Sequence, residues 1–438
     1  MQPKIIVLDD DPTGSQTVHG CLLLTRWDVA TLKQGLADAS PLMFVLTNTR
    51  GMGATEATQI TREACHNLKL AMADFDQPAL FVSRSDSTLR GHYPVETDVM
   101  AEQLGPFDAH FLIPAFFEGG RFTVDSVHYL KVDGKAVPVH ETEFARDSVF
   151  GYSHSYLPDY VEEKTQGRIK ADDVVRFSLD DIRAGTLDRL MALQKNACCV
   201  VDAENQTDLN RFADDLEQAA SQGKRFLFRS AASLLTALAK LPPQPVPAED
   251  MQRYVKNGRP GVIVVGSHVK KTTEQLAILL QQKGIAAVEV DVSRMPEQSP
   301  ALLQEVLEKV ALAHQNGLTP VIFTSRAERQ FPDQKTRLAF GEHVSGFLMD
   351  VVHGLPTTIG FIISKGGITS NDMLSKGLAL PTARLAGQIL AGCSVVLTPA
   401  DHLFPEIPVV IFPGNVGDAN ALTQVWQRLS TPKPRGNE

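Results

Sequence analysis

Three carboxylates stand side by side at Asp9, Asp10 and Asp11, directly after the apolar run Ile5–Leu8 and directly before Pro12-Thr13-Gly14. Like charges at this spacing repel one another and lose hydration when covered, so a strand end tolerates them best where a cation or a polar ligand shares them. The plainer reading is a solvated turn, with Pro12 and Gly14 as ordinary turn residues. A second cluster, Val82-Ser-Arg-Ser-Asp-Ser-Thr-Leu-Arg-Gly91, places Arg84, Asp86 and Arg90 beyond another apolar run. Arginine grips a carboxylate through two parallel hydrogen bonds, and aspartate accepts from hydroxyls, so together they suit a small hydroxy acid. Taken alone, the same residues also describe a surface ion-pair loop. Pro114-Ala-Phe-Phe-Glu-Gly-Gly-Arg121 repeats the arrangement, with Glu118 and Arg121 about a pair of glycines.

Three turns in the second half are of a different kind. Val262–Val265 runs into Gly266-Ser267-His268, Gly360–Ser364 into Lys365-Gly-Gly-Ile-Thr369, and Val409–Phe412 into Pro413-Gly-Asn-Val-Gly417. Each puts small residues where unpaired helix N-terminal amides favour an anion, and Ser267, Thr369 and Ser370 add hydroxyls. A nucleotide or phosphate site is one reading and tight turns the other. Neither GxxxxGK[ST] nor GxGxxG is present, so neither standard phosphate fingerprint applies.

These clusters need strands to carry them. Apolar runs at Ile5–Leu8, Met43–Thr47, Ala79–Ser83, Ala109–Ile113 and Cys198–Asp202 alternate with amphipathic stretches such as Thr55–Met72 and Leu209–Ala220. That rhythm predicts a mainly parallel sheet flanked by helices. Residues 119–160 break it, and read as a long excursion near the site rather than core. Four prolines within residues 242–247 cannot continue a helix or a central strand, which predicts a domain boundary. The alternation then resumes, with strands at Val262–Val265, Ala287–Val290, Pro320–Thr324, Thr358–Ile363 and Val409–Phe412 and helices at Thr272–Gln282 and Asp418–Leu429. The chain has 438 residues, a length for two or three domains. Its net charge of −9 speaks against a nucleic-acid partner. No apolar run suggests a membrane span, and the N-terminus leaves no room for a signal peptide before the first strand. Five scattered cysteines read as reduced, buried thiols of a cytoplasmic protein.

Asp9-x-Asp11 after a strand also resembles the first motif of the haloacid-dehalogenase phosphatases, in which the first aspartate is a nucleophile and the second a general acid. That alternative leaves the Asp86 loop and the Gly366 turn without a role. A wider match covers nearly the whole chain. It runs through Asp10-Asp-Pro-Thr-Gly14, Ser85-Asp-Ser-Thr-Leu-Arg-Gly91, Pro114-Ala-Phe, Gly120-Arg121, Thr142-Glu-Phe-Ala-Arg-Asp147, Val201-Asp-Ala203, Gly266-Ser267, Gly366-Gly-Ile-Thr369 and Gly414-Asn-Val-Gly417. In order and spacing the chain resembles the four-carbon acid sugar kinases.

The resemblance implies two α/β domains, each a mainly parallel sheet with flanking helices, and an active site in the cleft between them. Residues 1–240 would bind the sugar acid, 241–260 form a proline-rich linker, 261–430 bind the nucleotide, and 431–438 form a flexible tail. It implies transfer of the γ-phosphate of ATP, with Mg²⁺, to the terminal hydroxyl of a threonate, erythronate or oxo-tetronate. The catalytic group would be Asp10 or Asp11, and the metal ligands stay unassigned. Thr13, Gly14, Arg84, Asp86, Ser87, Arg90 and Arg121 would contact the acid; Ser267, Gly366, Gly367, Ile368, Thr369 and Gly414 would contact ATP. A noncatalytic binding protein is a third reading, and a homodimer is expected from the commonness of twofold assemblies. Two departures from the family are visible: Pro12 stands where an aromatic residue is usual, and Arg84 where lysine is.

Overall fold

Lys4–Asp9 forms β1, and every residue of it is buried. A strand covered on both faces is apolar throughout instead of alternating, which is why Ile5–Leu8 reads as it does. The structure, a computed structural model, describes residues 3–326 and 333–430; the expected tail at 431–438 lies outside the described residues. The chain divides into two units, Met1–Pro242 and Pro243–Glu438.

In the first unit β1 is followed by β2 (Leu22–Leu24), β3 (Leu42–Leu46), β4 (Ala79–Arg84), β5 (Ala109–Ile113), β6 (Arg121–Val124), β7 (Val127–Val132) and β8 (Lys135–Pro138). Then come β9 (Val175–Phe177), β10 (Ala197–Val201) and β11 (Phe226–Ser230). The order β2-β3-β1-β4-β11-β5-β10-β9 makes an all-parallel sheet. Helices α1 (Val29–Ala37), α2 (Ala54–Ala71), α3 (Val95–Leu104), α4 (Leu157–Lys164), α5 (Leu179–Ala184), α6 (Leu187–Ala192), α7 (Gln206–Ser221) and α8 (Ala232–Ala239) complete it. The α7 start is fixed by a capping box: Asn205 accepts from the Asp208 amide while the Asp208 carboxylate returns to the Asn205 amide. Phe111 anchors the core beyond β11, with the rings of Phe177, Phe212, Phe226 and Phe228 all within 5.9 Å of its centroid.

The stretch at 119–160 is not the irregular excursion the sequence suggested. It holds the antiparallel sheet β6-β7-β8, whose turns have Asp125 and Ser126 at φ 53° and 63° and Asp133 and Gly134 at 50° and 78°. Paired positive φ angles are those of type I′ hairpins, and Asp-Gly was the readable sign. Beyond it Tyr152 and Tyr160 are buried, and their hydroxyls donate to the carbonyls of Thr88 and Leu89 at 2.7 and 2.8 Å. This segment is the support of the 84–91 loop.

The second unit contains β12 (Val262–Val265), β13 (Ile285–Val290), β14 (Thr319–Thr324), β15 (Ile362–Lys365), β16 (Thr382–Leu390), β17 (Cys393–Leu397) and β18 (Pro408–Phe412). Their order is β13-β14-β12-β15-β18-β17-β16; the first five run parallel, and the β16–β17 hairpin adds two antiparallel strands. Its helices are α9 (Lys270–Leu279), α10 (Ser299–Gln315), α11 (Gln334–His353), α12 (Gly367–Asp372) and α13 (Ala421–Ser430). The strand expected at Thr358–Ile363 begins at Ile362 and continues to Lys365. Gly360 lies under the backbone of Arg259, where a Cβ would come within 2.3 Å of the carbonyl oxygen. Likewise α13 starts at Ala421 rather than Asp418, because the Asp418 side chain accepts from the Asn420 amide and forms a turn ahead of the helix. Within the proline-rich stretch, Met251 and Val255 are buried in the core of the second unit. No helix among the described residues is long and apolar enough to cross a membrane.

Candidate active site

In the first sheet β3 and β4 flank β1, so three chain segments leave the same edge together: Asp10–Ser15, Thr47–Gly51 and Ser85–Gly91. Arg50, which sequence reasoning overlooked, joins them. Its Nε donates to Asp10 Oδ2 at 3.0 Å and its Nη2 to Asp10 Oδ1, while Nη1 lies 3.4 Å from Asp11 and 4.0 Å from Asp86. Ser85 Oγ adds a bond to Asp10 Oδ2 at 2.7 Å. Asp10 is 1% exposed, with both oxygens engaged. Asp11 is different: its Oδ1 accepts from the Thr13 amide and hydroxyl at 2.8 and 2.5 Å, yet its side chain is 21% exposed. Burial acts to raise its pKa, but the Arg50 charge and the Thr13 bonds outweigh that and hold the carboxyl below its ordinary value.

Asp9 is fully buried. Its Oδ1 lies 3.5 Å from Arg84 Nη1, and its Oδ2 has no hydrogen-bond partner among the described residues. Burial, opposed by Arg84 but reinforced by the charges of Asp10 and Asp11, pushes its carboxyl up to about 8. The 12–15 turn lies directly over it: a Cβ on Gly14 would stand 1.9 Å from Asp9 Oδ2. Covered in this way, Asp9 is not placed as the open nucleophile that the phosphatase alternative requires.

The other predicted residues are spread over two depths. Asp86 Oδ2 accepts from the Thr88 hydroxyl and amide and from Arg90 Nε at 3.0 Å. Against the effect of burial, Arg90 and Arg50 hold it well below the ordinary carboxylate range. Arg90 also reaches Asp147 at 3.6 Å and lies 4.9 Å from the Phe144 ring centroid. Arg121 donates to the Gly119 carbonyl at 2.6 Å, its Nε without a hydrogen-bond partner among the described residues. Arg84 lies deeper, on β4 under Asp9, and Ser87 is buried, its carbonyl accepting from His128 Nε2 at 2.7 Å. Beneath Arg50, buried Glu96 at the start of α3 accepts from Thr49 Oγ1 at 2.5 Å and Ser83 Oγ at 3.4 Å. Burial and then the Asp10 charge push it up to about 7. The sign that could have revealed Arg50 is its place just beyond the Met43–Leu46 run. In a parallel sheet, the ends of neighbouring strands open on one side.

In the second unit β12, β15 and β18 are neighbours, so the three predicted turns converge. Their glycines fit one another: a Cβ on Gly266 would lie 2.3 Å from Thr369 Oγ1, and one on Gly414 would lie 2.8 Å from Ser267 Oγ. Gly366 adopts φ +125° opposite Ser267, a conformation open to glycine. Gly367, Ile368 and Thr369 form the first turn of α12, with Ile368 74% exposed. Arg326, just beyond β14, donates through Nη2 to the Ser267 carbonyl at 2.8 Å and Thr273 Oγ1 at 2.7 Å, while its Nη1 and Nε have no hydrogen-bond partner among the described residues.

Carboxylates and arginines thus gather at one parallel-strand edge of the first unit, and three glycine-bearing turns converge in the second. Residues 5–238 match the family model of a sugar-binding N-terminal domain and residues 262–422 that of a nucleotide-binding C-terminal domain. The chain belongs to the four-carbon acid sugar kinase family. It is 26% identical over 327 residues to the D-erythronate kinase of Heliobacterium modesticaldum, covering 70% of this chain and 67% of that one. It is 29% identical over 164 residues to the D-threonate kinase of Bordetella bronchiseptica, covering 36% of this chain and 38% of that one. Two solved structures share the fold over nearly their full length. One, from Salmonella typhimurium LT2 and provisionally described as a tRNA synthase, has a TM-score of 0.68 at 18% identity, with 96% of this chain and 98% of that one covered. The other, Haemophilus influenzae protein HI1011, has a TM-score of 0.65 at 15% identity, with 97% and 100% covered.

Proposed function

We propose that the protein transfers the γ-phosphoryl group of ATP to the terminal hydroxyl of a four-carbon sugar acid of the erythronate or threonate type. The bond from the hydroxyl oxygen to phosphorus forms as the bond to ADP breaks, and the hydroxyl proton leaves. The observation that carries this reading is Asp11, a carboxylate kept ionised by Arg50 and Thr13 and open at the strand edge. Asp10 has both oxygens occupied and holds Arg50 in place; Asp11 is the better acceptor for the hydroxyl proton. A weakly basic carboxylate suffices, because phosphoryl transfer asks mainly for positioning and charge stabilisation. Arg90 and Arg121 serve the carboxylate of the acid, and Asp86 holds Arg90.

In the second unit the nucleotide phosphates fit the cradle of Ser267, Gly366, Gly367, Ile368, Thr369 and Gly414, where any Cβ at Gly366 or Gly414 would intrude. Arg326 supplies charge there. Mg²⁺ enters this reading with ATP, neutralising its phosphates. Buried, free cysteines accord with work in a reducing cytoplasm.

The first test is ADP release from Mg-ATP against D-erythronate, D-threonate, their stereoisomers and oxo-tetronates. Release that depends on one or two of these acids is expected; none with any acid overturns the reading. Asp11→Asn should lower kcat about 100-fold with little change in either KM, the size of a lost proton acceptor. Full turnover in that variant moves the role elsewhere. Arg326→Gln should raise the KM for ATP about tenfold and leave that for the acid unchanged, as expected for one charge-assisted contact. A shift in the acid's KM instead would place Arg326 outside the nucleotide site.

A further inference from the structure

Lys365 closes β15 at 0% exposure, the one predicted phosphate turn in which a lysine precedes the glycines. A buried ammonium is costly unless it is paired. Among the described residues no carboxylate pairs with it. Its Nζ instead donates to the carbonyls of Pro413 at 2.6 Å and Gly414 at 3.2 Å, and lies 3.9 Å from the centroid of the Phe412 ring. Thr272 Oγ1 donates to the same Gly414 carbonyl at 2.8 Å. Two carbonyl oxygens thus converge on one buried amine, which burial pushes down to about 7.

A trans peptide points its N–H opposite to its C=O. Both peptides here are trans; the cis bonds among the described residues precede Pro94, Pro106 and Pro296. With the carbonyls of residues 413 and 414 drawn inward, the amides of Gly414 and Asn415 face the other way. Neither donates to any described residue, and Asn415 is exposed. Adjacent outward amides of this kind form a concavity for an anion.

We infer that Lys365 is a positioning residue of the nucleotide site. It does not touch the nucleotide; with Thr272 it turns the backbone so that the Gly414 and Asn415 amides meet an anionic phosphate oxygen. The inference rests on the nucleotide reading of the second unit and adds a residue and a role to it. It also explains why a lysine stands where an apolar side chain would cost less to bury.

The test is calorimetric titration of the full-length wild type, Lys365→Met and Thr272→Val with ADP and with Mg-ATP, alongside steady-state kinetics. Lys365→Met should weaken nucleotide binding about tenfold or more, the scale of a hydrogen bond to a charged group. The KM for the acid should not move, and kcat at saturating ATP should change much less than the KM for ATP. A merely structural lysine would lower the melting temperature and leave that KM split untouched. Thr272→Val should act in the same direction but more weakly, about threefold. Should Lys365→Met fail to give a cooperative melt, Thr272→Val decides, since it removes one carbonyl anchor and keeps the lysine. Folded variants that bind ADP within about twofold of the wild type overturn the inference alone. A wild type that binds no nucleotide overturns the reading beneath it.

Discussion

Arg50→Met should lower kcat/KM by about a thousandfold and destabilise the protein by about 3–5 kcal/mol, the usual cost of leaving a buried charge without its partner. The reason lies in what Arg50 holds together. Asp10 is sealed from water and receives two of its three side-chain hydrogen bonds from this one guanidinium. Nη1 of the same group lies between Asp11 and Asp86. Without it three carboxylates face one another with Ser85 as the main donor left to Asp10, and Asp11 loses the charge that keeps it ionised. Arg50→Lys should recover little, because an ammonium cannot reproduce the forked geometry. Pairing Arg50→Met with Asp10→Asn should restore much of the stability and none of the activity. Urea unfolding together with initial rates checks both halves. Activity within tenfold of the wild type would remove Arg50 from the site.

Glu96→Gln should make the protein more stable at neutral and alkaline pH, and the direction follows from proton counting. The carboxyl ionises near its ordinary 4.5 in the unfolded chain and at about 7 in the fold. Between those values the folded state holds more protons than the unfolded one, so stability falls as pH rises. Below 4.5 both states are protonated and the contribution of Glu96 is whole; above about 7 it is gone. A displacement of this size corresponds to about 3 kcal/mol, and so to a melting-temperature difference on the order of 5–10 °C at pH 8. Glutamine keeps the acceptor that Thr49 uses and cannot ionise, so its melting curve should lack this decline. Melts from pH 4.5 to 8 measure the difference, which isolates Glu96 because Asp9 titrates in both proteins. Parallel curves would show that Glu96 is ionised in the fold throughout.

The strands were legible where burial on both faces removed every polar residue, as at Ile5–Leu8 and Val262–Val265. They were obscured where a charged residue type stands inside them. β11 ends in Phe228-Arg229-Ser230 and β15 in Ser364-Lys365, and both of these long polar side chains are buried. The aspartates and the glycine turns were visible because adjacent like charges, or glycines after a strand, have few purely structural uses. Arg50 was not, since a single arginine after a strand resembles any solvated loop until sheet order sets β3 beside β1. Glu96 stands behind the site in a helix whose sequence carries no mark of burial. Chain spacing says which groups are near in sequence, whereas strand order decides which are near in space.

The 84–91 loop has no hairpin or helix of its own to give it shape. Its carbonyls at Ser87, Thr88 and Leu89 are tied to His128, Tyr152 and Tyr160, residues 41, 64 and 71 positions further along. Exchanging this loop for a relative's, to change which acid is accepted, would therefore transplant a sequence without its mould. A working graft has to carry residues 119–160 as well, because the loop and its support form one block of two distant segments.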